Sequence, residues 1–142
     1  TTGDTTQITD LFESYGAVRI NGNHRHELSW SPNGTRIAFW VIEMLGSNPE
    51  GINRQGVIHI VDVETGETTA YCGFATADHT PRPPRLVWSP DGTHLAFSAD
   101  VEGNTGGQLL LALDTATGVI TELSNSVYAT VPDVIAWGRL PG

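Results

Sequence analysis

A ten-residue segment occurs twice in this chain. Trp30-Ser31-Pro32-Asn33-Gly34-Thr35-Arg36-Ile37-Ala38-Phe39 returns as Trp88-Ser89-Pro90-Asp91-Gly92-Thr93-His94-Leu95-Ala96-Phe97. Each copy is followed by a second matching segment. Val57-Ile58-His59-Ile60-Val61-Asp62-Val63-Glu64-Thr65-Gly66 corresponds to Leu109-Leu110-Leu111-Ala112-Leu113-Asp114-Thr115-Ala116-Thr117-Gly118. Matched pairs in the same order define an internal repeat. A repeat limits the fold sharply, because each unit must be one supersecondary structure that buries its apolar faces against a neighbouring copy.

Each unit reads as four strands. The Ser-Pro-Asn/Asp-Gly stretch supplies a fixed φ at Pro32 and Pro90 and a positive-φ position at Gly34 and Gly92, so it is a tight turn. A short strand carrying Trp30 or Trp88 enters that turn, and a second strand leaves it. A dense apolar run is the third strand, and the turn at Thr65-Gly66 or Thr117-Gly118 leads to the fourth. The expected strands are 28–31, 36–41, 57–63 and 68–71, with their equivalents between 86 and 123. The fold class is therefore all-β. Such a meander sheet has two apolar faces and cannot cover both alone; radial stacking of sheets solves this, and a repeat of roughly 40–50 residues with Trp and Asp-Gly turns signals a β-propeller. Trp30 and Trp88 stand 58 residues apart, and Trp88 and Trp137 stand 49 apart.

The chain then divides into blades. Residues 28–71 and 86–123 are two complete blades. Residues 1–11 read as the outer strand of a preceding blade, because Thr2-Gly3 resembles Thr65-Gly66 and Thr117-Gly118. Residues 133–138 read as the inner strand of a following blade, with Trp137 in the Trp30 and Trp88 position. Trp30 and Trp88 are both expected to lie buried between blades. Two blades cannot close a ring, so their outward faces and strand edges need covering. Further blades of a longer chain, or other copies of this one, are the expected partners.

Composition closes off some function classes. The formal charge is −9, and all seven basic residues are arginine. An acidic chain lacks the cationic surface that displaces counterions from a phosphate backbone, which argues against nucleic acid and against anionic lipid. No apolar run is long enough to span a bilayer as a helix. The single cysteine, Cys72, has no internal disulfide partner.

The two Trp-Ser-Pro-(Asn/Asp)-Gly-Thr-x-(Ile/Leu)-Ala-Phe segments, with the Asp-x-x-Thr-Gly hairpins at Asp62 and Asp114, closely resemble the WD40-like (PD40) repeat of TolB-type β-propellers. The resemblance covers residues 28–71 and 86–123. It weakens at Trp137, where the Ser-Pro-Asp-Gly turn is missing, and Asn33 replaces the usual Asp in the first copy. It implies a propeller, commonly extracytoplasmic or bacterial, used as a protein-interaction platform. It implies no chemistry, since a fold does not carry a function by itself.

The polar residues offer few sites. His24 and His26 point the same way if they lie on a strand and could begin a metal site, but no further ligand stands at useful spacing. They read better as surface loop histidines. Asp100, Glu102 and Asn104 form an oxygen-rich loop without the sixth-position Gly or the distal acid of a calcium site. No nucleophile elbow or triad pattern occurs. No catalytic residue, metal or cofactor is expected, and the chain reads as a non-enzyme. The remaining clue is loop length. Tight turns fall on one side of each blade, and the long connections 12–27, 42–55, 73–84, 100–107 and 125–132 fall on the other. Long loops are where recognition tends to reside, and Arg82 and Arg85, around a Pro-Pro stiffener, could meet a protein or peptide. Three functions remain: an interaction scaffold working through the long-loop face, a structural subunit assembling into a ring or filament, or the accessory propeller of a peptidase-like enzyme.

Overall fold

Alternating apolar residues with Val, Ile and Leu at their centres make strands when both faces can be buried, and those segments build the sheets here. The computed structural model describes residues 3–15, 18–20, 28–43, 55–75, 85–101, 109–124 and 134–138. Among them, the first blade comprises β1 (Val18–Ile20), β2 (Ser29–Trp30), β3 (Arg36–Glu43), β4 (Gln55–Asp62) and β5 (Thr68–Ala75). The second comprises β6 (Val87–Trp88), β7 (His94–Val101), β8 (Leu109–Asp114) and β9 (Ile120–Glu122). Every pairing is antiparallel. The fold is all-β, a partial propeller of two four-stranded meanders.

Three details differ from the sequence reading. Strand β1 lies inside what reads as a long loop; it pairs with the far end of β3, opposite Val41 to Glu43, while β2 pairs near its start at Ile37 and Ala38. The first-strand position of this blade is thus shared by two short strands. A short helix, α1 (Leu11–Tyr15), follows the N-terminal segment. Asp10 caps it, its carboxylate accepting the Glu13 backbone N–H at 3.1 Å. Strands β5 and β7 run past their expected ends to pair with each other, Phe74 opposite Val101 and Ala75 opposite Asp100, joining the two sheets.

Register decides which side chains face which neighbour. In the first blade Ala38 is opposite Ile60 and Trp40 opposite Ile58, and these four line the face toward the second blade. There they meet Leu95, Phe97, Leu111 and Leu113, with Trp40 edge-on to Phe97 at 5.7 Å between centroids. The alternate residues, Ile37, Phe39, Val41 and Val61, form a separate buried cluster on the other face, with Leu11 of α1 packed against it. That face reads from the sequence as uncovered. At the centre of that face Ile37, Phe39, Val41 and Val61 are nonetheless buried, with Leu11 of α1 against them.

Candidate functional site: the joint between blades

Each tight turn is held by its own side chains. In the first, the Ser31 hydroxyl donates to Asn33 Oδ1 at 2.7 Å, and Thr35 donates to the same oxygen from its hydroxyl at 3.0 Å and its backbone N–H at 3.2 Å. In the second, Ser89 and Thr93 bond Asp91 Oδ1 in the same way, at 2.6, 2.8 and 3.1 Å. Gly34 and Gly92 adopt φ of 73° and 71°, as the turn requires. The hydroxyl bonds hold the Asp91 carboxyl far below the usual carboxylate range. The lower hairpins repeat the device. Asp62 accepts backbone N–H bonds from Thr65 and Glu64, and Asp114 from Ala116 and Thr117, and both carboxyls are held down by those bonds. The polar groups of the tight-turn side are largely engaged locally.

Between the blades the residues converge. Trp88 is 6% exposed; its Nε1 donates to the Ser29 carbonyl at 3.0 Å, and the Arg36 guanidinium stacks 4.8 Å from its ring centroid. Arg36 also donates from Nη1 to Thr115 Oγ1 at 3.3 Å and from Nη2 to the Gly92 carbonyl. Tyr71 Oη donates to the Thr115 carbonyl at 2.6 Å, and its ring lies 3.8 Å from where a Gly118 Cβ would stand. Burial raises the Tyr71 pKa. Arg36, Trp88, Tyr71 and Thr115 therefore clamp one blade to the next through planar stacking and charge-assisted donation. Sequence reasoning missed Arg36, which sits at the variable position of the motif. The one visible signal was that this position holds Arg in one copy and His in the other.

The same joint recurs in part on each side. Ile8 is five residues after Gly3, as Tyr71 is five after Gly66, and Gly3 shares the left-handed φ of 71°. The Ile8 carbonyl oxygen lies 3.5 Å from where a Gly66 Cβ would stand. On the other side, Trp137 lies against His94, the Arg36 equivalent, with centroids 6.2 Å apart. Neither flanking segment forms a strand. Trp30 departs from its expected burial. It is 55% exposed, and Leu28 is 43% exposed, whereas Leu86, the equivalent of Leu28, is 8% exposed. The reason lies in the neighbouring blade: among the described residues no cation or carbonyl meets Trp30 as Arg36 and Ser29 meet Trp88.

The other sequence candidates stay apart from this joint. Pro32 and Pro90 are exposed in their turns, and Pro32 Cδ lies 3.6 Å from where a Gly92 Cβ would stand. Arg85 is exposed at the entry to β6. Asp100 belongs to strand β7, opposite Ala75. His24, His26, Arg82, Glu102 and Asn104 lie outside the described residues. Among the described residues no group of three His, Cys, Asp or Glu side chains could hold a metal. No described helix is long and apolar enough to cross a membrane.

Comparison with known proteins places the fold and goes no further. Neither protein-family models nor curated sequences match the chain. Solved structures resemble it, two of them as follows. The crystal structure of TolB from Acinetobacter baumannii shares 20% identity over 76% of this chain and 22% of its own, at a TM-score of 0.47. The acylaminoacyl peptidase of Pyrococcus horikoshii shares 14% identity over 87% of this chain and 16% of its own, at 0.55. The likeness to the second protein is one of fold. The chain spans a small part of either. Repeat, sheet topology and this likeness together define the class as a segment of a β-propeller.

Proposed function

We propose that this chain is a non-enzymatic propeller module that serves as a protein-interaction scaffold, and that the rim of its first blade receives a further blade of the same repeat type. The observation that carries the reading is the contrast between a filled joint at Trp88 and an unfilled one at Trp30. A blade presenting a Ser-Trp-Ser-Pro-Asx-Gly-Thr-Arg segment like residues 29–36 supplies what Trp30 lacks, a guanidinium over its ring from the Arg and a carbonyl for its Nε1 from the first Ser. Recognition of other proteins belongs on the side opposite the tight turns, because the turn side spends its polar groups internally. The long connections that would form that side, Arg82 among them, lie largely outside the described residues.

The blade that covers Trp30 is either part of the same polypeptide or a second copy. A second copy docking head-to-tail would need His94 free, and Trp137 already lies against it. This favours further blades of one polypeptide over a ring or filament of copies. The accessory propeller of a peptidase-like enzyme is a third reading, supported by the fold likeness to the Pyrococcus protein. Sedimentation of the 142-residue chain at low micromolar concentration tests the reading. Non-specific, concentration-dependent association through the uncovered Trp30 rim, not through the His94 end that Trp137 occupies, is the expected result, and Trp30→Glu suppresses it. A compact monomer indifferent to Trp30→Glu overturns it, and association that stops at one fixed number of copies favours the self-assembling subunit instead.

A further inference from the structure

Four side chains of the first blade reach across the joint to the second. Arg36 lies over the Trp88 ring and donates to Thr115 and to the Gly92 carbonyl. Tyr71 donates from its hydroxyl to the Thr115 carbonyl. Trp40 and Ile60 belong to the apolar cluster that the two blades share, with Trp40 edge-on to Phe97. The repeat gives each of them a counterpart in the second blade: His94 for Arg36, Leu123 for Tyr71, Ser98 for Trp40 and Ala112 for Ile60. Each counterpart has less to offer a following neighbour. His94 turns both ring nitrogens onto its own blade, Nδ1 to the Thr93 hydroxyl at 2.7 Å and Nε2 toward Asp114 Oδ2 at 3.9 Å. Leu123 is exposed and has no hydroxyl to donate. Ser98 and Ala112 are too short to carry bulk across a joint as Trp40 and Ile60 do.

We propose that the two blades move as one body, and that the arc yields on the far side of the second blade. Segment 134–138 is the first piece of chain on that side. It meets His94 through the Trp137 ring, with centroids 6.2 Å apart, and Ile135 is exposed. Contacts that cross a joint oppose its opening, so replacing them lowers the cost of opening and leaves the blades themselves intact. The contacts replaced are of three kinds: a cation stacked on an indole, hydrogen bonds to a hydroxyl and to backbone carbonyls, and apolar packing. All three weaken at the same joint, while the turns and ladders of the second blade match those of the first. The seam rests on the reading of the chain as a propeller module, and it is independent of what covers Trp30.

Hydrogen exchange of the 142-residue chain, followed by nuclear magnetic resonance at the indole N–H groups and the backbone amides, tests this by trading residues between the two joints. In the parent, the Trp88 indole should exchange at least about tenfold more slowly than the Trp137 indole, as one crossing hydrogen bond and one stacked cation predict. Arg36→His with Tyr71→Leu gives the first joint the residues of the second. It should speed the Trp88 indole by about tenfold or more, while the amides of β3 and β4 stay protected. His94→Arg should slow the Trp137 indole about two- to fivefold. Chain-end fraying alone would leave Trp137 indifferent to that change. If the amides of β3 and β4 show that the double variant unfolds, Tyr71→Leu alone is read at the Trp88 indole in its place. Equal protection of the two indoles in the parent, a Trp88 indole unmoved by the substitutions at Arg36 and Tyr71, or a Trp137 indole unmoved by His94→Arg overturns the proposal.

Discussion

Trp30 and Trp88 occupy the same position of the same ten-residue motif. Each precedes a turn with the same hydrogen bonds, and each pairs with the start of the next strand, at Ile37 or Leu95. One is nevertheless exposed and the other buried. The turn is built by residues within five positions of one another, so both copies form it alike. The burial is built by residues more than fifty positions away, so only the copy with a neighbour has it. A second contrast lies on the sheet faces. Trp40 and Ile60 of the first blade fill the space toward the second, while the equivalent residues of the second blade are Ser98 and Ala112. Both small residues are buried. The blades share a scaffold but not a packing surface.

The comparison can be broken at its strongest point first. Trp88→Ala should destabilise the chain by about 3–5 kcal/mol, the usual cost of removing a large buried aromatic. Trp30→Ala should stay within about 1 kcal/mol, as at other exposed sites. Equal shifts in chemical denaturation would mean that the two joints are alike in solution, and the contrast would fall.

A smaller effect is expected at the clamp. Arg36→Ala removes the cation over Trp88 and two donors, and should cost about 1–3 kcal/mol. Arg36→Lys keeps the charge but loses the planar fork, and should fall between Ala and the parent. Thermal melts of the three proteins decide it. A lysine variant no better than alanine would show that geometry, rather than charge, holds the joint.

The smallest effect separates Asn33 from Asp91. The folded pKa of Asp91 is depressed, so its contribution to stability is complete above the unfolded value of 3.8 and is lost as pH falls below it. Asn33 does not titrate. Asn33→Asp should therefore make the chain more sensitive to acid below about pH 4, and Asp91→Asn less so, with little change near neutrality. Acid titrations followed by circular dichroism would show the midpoint moving up in the first variant and down in the second. Identical midpoints would mean that the two turns do not hold their carboxyl or amide oxygen in the same way.

The sequence by itself determined the repeat, the two tight turns and the four-strand order of each blade. These follow from short-range chemistry: Pro and Gly dihedrals, the reach of a Ser, Thr or Asx side chain, and apolar alternation. They are legible because each rule acts over a few residues. Only the tertiary structure decided that Arg36 clamps Trp88, that Tyr71 reaches Thr115, that Leu11 of α1 packs on the outward face and that Trp30 is left exposed. Those contacts join groups 44 to 79 positions apart where hydrogen bonds record them. A motif repeated in the chain has one local conformation but as many environments as it has neighbours. Nothing in Trp-Ser-Pro-Asx-Gly-Thr says which neighbour is there.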